Sequence, residues 1–213
     1  DYAIRLGKPL IIIFGLGSAN GSRTGASPLA EMMENLTKKP NISVITCMGN
    51  EANNKCHYKG TVMSALVPDV MEINVDGTGK GFTMEIWADS LDILSVSIES
   101  PSGEYVPRIP ARMGASMEYT FLYEGSTVTV DYQITENVAG MEVIFVRLKT
   151  PVEGTWKFYI YSLTNIKGSY NAWLPLKQFS GQDIYFLKSD PDTTLTVPAA
   201  ADGVISVGAY NHY

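Results

Sequence analysis

Between residues 61 and 176 no stretch of this chain spaces its apolar side chains for a helix; short alternating runs follow one another instead. They occupy 70–75, 82–87, 94–99, 117–123, 127–134, 141–148 and 156–161. In 127–134, Val128, Val130, Tyr132 and Ile134 fall on one side of an extended chain, because successive side chains of a strand point to opposite faces. Turn formers separate the runs: Asp76-Gly77, Pro101-Ser102-Gly103, Glu124-Gly125, Ala139-Gly140 and Glu153-Gly154. Such dipeptides supply the backbone angles that tight turns need. Seven or eight short strands at this spacing predict an antiparallel β-sandwich of the jelly-roll type.

The two ends of the chain follow another pattern. Residues 10–14, Leu-Ile-Ile-Ile-Phe, have the length and apolarity of a buried parallel strand. Ser27 then stands as an N-cap before Pro28 at the first helical position, with Leu29, Met32, Met33 and Leu36 at helical spacing. Lys38-Lys39-Pro40 closes that helix with positive charge and a proline stop. Further buried strands are expected at 42–48 and 204–209. Residues 1–7, which lack an initiating Met, read as the last turns of a helix in a processed or excised piece. The expected fold class is α/β plus all-β. A partial parallel α/β domain of residues 1–60 and 187–213 is interrupted by a β-sandwich at 61–186.

Composition narrows the function classes. A net charge of −6 leaves no Lys/Arg cluster able to neutralise several phosphates, so no nucleic-acid partner is expected. No apolar run approaches the ~20 residues of a membrane-spanning helix. Two cysteines, Cys47 and Cys56, and the separated His57 and His212 offer no zinc-ligand spacing, and neither metal nor cofactor is expected. His57 reads as an exposed residue of a loop or joint. Ser18, Ser22 and Ser27 have no partner base at useful spacing, and Glu31 and Glu34 read as a solvated helix face.

Four segments, in order, resemble the subtilisin-like serine proteases: 8–17 (Lys-Pro-Leu-Ile-Ile-Ile-Phe-Gly-Leu-Gly), 44–51 (Val-Ile-Thr-Cys-Met-Gly-Asn-Glu), 194–201 (Thr-Leu-Thr-Val-Pro-Ala-Ala-Ala) and 204–209 (Val-Ile-Ser-Val-Gly-Ala). Residues 81–87, 98–103 and 170–175 are similar to the jelly-roll insertion in the germination-specific branch from spore-formers. The resemblance covers nearly the whole chain. It implies a Ser-His-Asp endopeptidase acting on polypeptides, in a secreted, cell-envelope or spore-associated bacterial protein. The triad Asp and His would lie upstream of residue 1 and the Ser downstream of Tyr213, so the chain alone is expected to be inactive.

For the site, the resemblance implies that Asn50 donates to the oxyanion formed when a peptide carbonyl is attacked, with Gly49 letting the backbone turn. Gly15, Leu16 and Gly17 would present backbone groups to an extended substrate. Thr46, Cys47, Met48 and Gly49 would form the opposite wall of the first specificity pocket. The chain departs from the family pattern where Gly15 replaces the usual Ser and where Cys47 and Met48 replace small residues. Arg23-Thr24 also stands where this branch often has His-Asp.

Taken alone, Gly49-Asn50 is an ordinary turn after a strand. The β-sandwich is also open to reading as a carbohydrate- or protein-binding module, with Trp87, Trp156, Trp173 and the tyrosines as a stacking platform. A third reading is an inactive protease-like scaffold. Under any of these, a short parallel sheet would leave edges and apolar faces bare, which predicts self-association.

Overall fold

The computed structural model describes residues 2–77, 79–89, 91–112, 114–134, 140–180 and 183–210. Ala139 of the expected turn and His212 lie outside the described residues. Along the chain come α1 (Tyr2–Arg5), β1 (Leu10–Phe14), α2 (Pro28–Thr37), β2 (Ile42–Cys47), β3 (His57–Thr61), β4 (Asp69–Asp76), β5 (Gly81–Asp89) and β6 (Leu94–Glu99). They are followed by β7 (Tyr105–Ile109), β8 (Ser116–Thr120), β9 (Thr127–Ile134), β10 (Met141–Lys149) and β11 (Gly154–Ser162). The last elements are β12 (Ser169–Trp173), α3 (Lys177–Ser180), β13 (Asp183–Phe186) and β14 (Ile205–Val207). Two compact units result, one of residues 1–51 with 193–213 and one of residues 52–192.

In the first unit β1, β2 and β14 form a parallel sheet in the order β1-β2-β14. The crossover from β1 to β2 runs through α2, whose start follows from its cap. Ser27 Oγ accepts the Ala30 N–H at 3.2 Å, and Pro28, which has no N–H to leave unpaired, takes the first position. The helix buries Ala30 and Met33, and Val44 of the central strand is buried with them.

The second unit is built of two antiparallel sheets, ordered β3-β12-β5-β10-β9-β8 and β13-β4-β11-β6-β7. Their inner faces share one core, in which Met84, Ile86, Val130 and Ile144 of one sheet meet Met71, Ile98, Trp156 and Phe158 of the other. Phe121 stands edge-on to Trp156 at 5.1 Å between ring centres. The buried Tyr132 hydroxyl donates to Ile109 O at 2.9 Å and accepts from the Val96 N–H at 3.3 Å, so the phenol is satisfied and joins the sheets.

The described residues of this unit form eleven strands, beyond the seven or eight expected from alternation. The additional ones are β3, β7, β12 and β13. Strand β3 reads His-Tyr-Lys-Gly-Thr and carries no alternation of hydrophobicity; its Gly60 lies under the Tyr170 ring of its partner β12, which occupies the space of a side chain. Strand β7 contains Pro107 and sits at a sheet edge, where a missing N–H is tolerated. Because β3 pairs with β12, it belongs to the sandwich unit rather than to the flanking residues 1–60.

Of the expected α/β part, the structure shows a three-stranded parallel sheet with one helical crossover; a subtilisin-like fold, and with it the family identification read from the four segments, is corrected by this architecture. Strands dominate the described residues and pair mostly antiparallel, and the parallel sheet stops at three strands. Of the three α-helices among the described residues only α2 exceeds four residues. The physical reason is in the chain: one segment, 28–37, has a helical apolar period, and it supplies one crossover.

Candidate functional site

In the first unit the carboxyl ends of β1 and β2 are laced together by residues 196 and 197. Ser18, past the end of β1, exchanges both backbone hydrogen bonds with Val197, at 3.0 and 2.9 Å. The Thr196 N–H donates to Met48 O at 3.0 Å, and the Met48 N–H donates to Val207 O at 3.0 Å. Loop ends at the carboxyl edge of a parallel sheet are where open α/β sheets place their ligands.

Thr196 is buried, and its side chain lies over two glycines. A Cβ on Gly17 would overlap Thr196 Oγ1, and one on Gly49 would stand 2.6 Å from Thr196 Cγ2. Gly49 also has φ +81°, a conformation that L side chains resist. The Thr196 hydroxyl donates to Cys47 O at 3.3 Å. Gly49 is thus fixed by a specific neighbour, a role that its sequence context does not reveal.

Arg23 supports the same region. Its Nη1 donates to Leu195 O and, at 3.4 Å, to Ser18 O, while Nη2 donates to Ala19 O at 2.5 Å. A planar fork with five donors suits three carbonyls better than a lysine would. Arg23 is thus a strut between the loop after β1 and the 195–197 segment.

Gly15 and Leu16 are exposed, Leu16 to 70%, and Gly17 is half-buried. Thr46 is buried, and its hydroxyl finds no hydrogen-bond partner among the described residues. Cys47 is a half-buried free thiol. Met48 does not extend into open space: its Sδ lies 3.0 Å from the position a Cβ of Gly208 would take. Asn50 is exposed in a bend just before the short 3-10 turn Glu51–Asn53. Among the described residues its carboxamide makes no hydrogen bond, which leaves both N–H donors available.

Among the described residues no serine–histidine pair is assembled. Ser18 Oγ accepts the Asn20 N–H at 3.0 Å, Ser22 Oγ shares a hydrogen bond with Thr24 Oγ1 at 2.7 Å, and Ser27 caps α2. His57 is not the exposed joint residue expected. It is fully buried in β3, stacked on Trp173 at 5.0 Å, with Nδ1 3.2 Å from Asp190 O and Nε2 3.0 Å from Asn171 Oδ1. Among the described residues no group of His, Cys, Asp and Glu is placed to hold a metal. The tryptophans form no stacking platform, since Trp156 is wholly buried and Trp87 and Trp173 nearly so.

No protein-family model matches the chain, and no curated protein matches it. Among solved structures it is similar to the CspB protease of Clostridium perfringens, with 25% identity and a TM-score of 0.85. The likeness covers 99% of this chain and 44% of that one. The chain therefore spans less than half the length of this structural neighbour.

Proposed function

We propose that this chain is part of a serine endopeptidase and that Asn50 donates a hydrogen bond to the oxyanion formed at the scissile carbonyl. One observation carries the reading: an unengaged carboxamide follows the central strand of the parallel sheet, directly after a glycine pinned by Thr196. The likeness to a protease over nearly the whole chain supports it. A donor held in place before the reaction stabilises developing negative charge without reorganising, and so favours the transition state over bound substrate.

In this reading the exposed backbone of Gly15, Leu16 and Gly17 pairs with an extended substrate. The residues from Thr46 to Gly49 form the facing wall. Nucleophile and general base come from outside these 213 residues, and hydrolysis follows the Ser-His-Asp scheme: the serine attacks, the histidine takes its proton and then passes it to the leaving amine.

The test is Asn50→Ala in the intact protein. Loss of one such donor is expected to lower kcat by about 10²–10³-fold with little change in KM. Asn50 is exposed, so the substitution should leave folding intact by circular dichroism. An unchanged kcat would remove Asn50 from the mechanism.

A further inference from the structure

A cavity of 280 Å³ opens beside the edge strand β7, lined by Ile93, Ser95, Arg108, Pro110, Ala111 and Leu163. It lies wholly within the sandwich unit and has no part in the catalytic reading. Arg108 is the one charged residue among the described residues that line it. The guanidinium lies over the Tyr161 ring, 4.7 Å from its centre, and Nε donates to Ser95 Oγ at 2.6 Å. Tyr161 is itself held, its hydroxyl accepting from Ser97 Oγ at 3.4 Å and lying 3.5 Å from the Tyr105 hydroxyl. Stacking and one hydrogen bond thus orient the plane of the cation.

The terminal amino groups of Arg108 make no hydrogen bond among the described residues, and no described carboxylate forms an ion pair with it. Glu99, on the neighbouring strand β6, is engaged by Lys157 at 2.8 Å and by the Tyr159 hydroxyl at 2.6 Å. An oriented, unpaired cation in a chain of net charge −6, next to four apolar side chains, calls for a ligand of matching parts. A carboxylate takes the two parallel N–H groups of the fork, and an apolar body covers Ile93, Pro110, Ala111 and Leu163. One guanidinium balances one negative charge, which favours a monocarboxylate over a phosphate dianion.

We infer that this cavity binds a small monocarboxylate with an apolar body, its carboxylate held by Arg108. Its volume is just below the ~300–1,000 Å³ of common ligand pockets, so the ligand is about as large as a capped amino acid or a medium-chain fatty acid. The two sources share this chemistry, and the probes separate them: N-acetyl-leucine for an apolar peptide terminus and octanoate for a fatty acid.

The full chain is titrated with each probe and with its neutral primary amide, and backbone amide shifts are followed by NMR. At least one carboxylate is expected to saturate, with shifts centred on Ser95, Arg108, Ala111 and Leu163, and its amide to bind at least about tenfold more weakly. Arg108→Gln should abolish the binding. Leu163→Trp, at an exposed position that tolerates bulk, should also abolish it by filling the cavity with the cation intact. The inference is overturned if neither carboxylate saturates, if the amides bind equally well, if shifts map elsewhere, or if either variant binds as the parent does.

Discussion

Thr196 occupies the space that a side chain on Gly49 would need, its Cγ2 standing 2.6 Å from where that Cβ would be. The two residues lie far apart in sequence, yet the contact sets how β2 ends and therefore where Asn50 begins. It links a backbone requirement to the geometry of the candidate site.

Gly49→Ala should therefore be destabilising on two counts, the positive φ and the clash. Together these are expected to cost about 2–4 kcal/mol in urea unfolding. Thr196→Ala removes the clash but not the strain. The double variant should accordingly be less destabilised than the sum of the singles, by at least about 1 kcal/mol. Strict additivity would show that Thr196 does not constrain Gly49.

Glu142 governs a second prediction. It is buried in β10, with Oε2 accepting the Leu94 N–H at 2.9 Å and Oε1 without a partner among the described residues. Burial pushes its carboxyl up from 4.5 to about 7; the Leu94 hydrogen bond opposes this and the nearby charge of Asp92 adds to it. Asp92 is itself fixed by the N–H groups of Ile166, Lys167 and Gly168 at 2.7, 3.0 and 2.7 Å. Because the folded form holds the proton through the window from 4.5 to about 7, Glu142 makes stability fall as pH rises across that window and leaves it level above. Glu142→Gln keeps the acceptor and removes the ionisation. It should flatten that slope and raise stability above pH 7 by about 1–3 kcal/mol, read from urea midpoints. A slope unchanged in the variant would assign the effect to another group.

Much of the architecture was legible wherever one face of an element is buried. In 127–134 alternation marked the strand that forms, and Val128, Val130 and Tyr132 are its buried side. Ser27 and Pro28 marked the start of α2, and the apolar runs marked the strands that pair as β1, β2 and β14. The hidden parts depend on partners distant in sequence. Strand β3 exists because β12 pairs with it, and His57 is buried because Asn171, Trp173 and Asp190 meet its ring. Thr196 and Arg23 belong to the site through contacts with backbone atoms, which no local pattern encodes. What the apolar runs leave open is the extent of the parallel sheet, since a short apolar run fits a three-stranded sheet as well as an extended α/β one.

One face of the parallel sheet carries the third prediction. Ile11 and Ile13 on β1 and Ile205 and Val207 on β14 are 64%, 74%, 54% and 53% exposed, and Ile13 and Ile205 both flank Ile45 in the register. A contiguous apolar surface of this kind is unusual on a monomer. The isolated chain is expected to self-associate with rising concentration in sedimentation velocity, and Ile13→Lys with Val207→Lys should return it to monomer. Monomeric behaviour of the parent at every concentration would count against association through this face.

The last prediction concerns reactivity. An activated serine needs a base within hydrogen-bond reach and a second group to orient that base. Ser18 and Ser27 accept backbone N–H groups and Ser22 is paired with Thr24, while both ring nitrogens of His57 face groups of the sandwich core. The chain by itself is therefore expected to hydrolyse no peptide and to take up no fluorophosphonate label by intact-mass spectrometry, even though it carries the proposed oxyanion donor. Stoichiometric labelling of any serine would mean that this chain holds its own nucleophile, and the division of labour proposed for Asn50 would have to be abandoned.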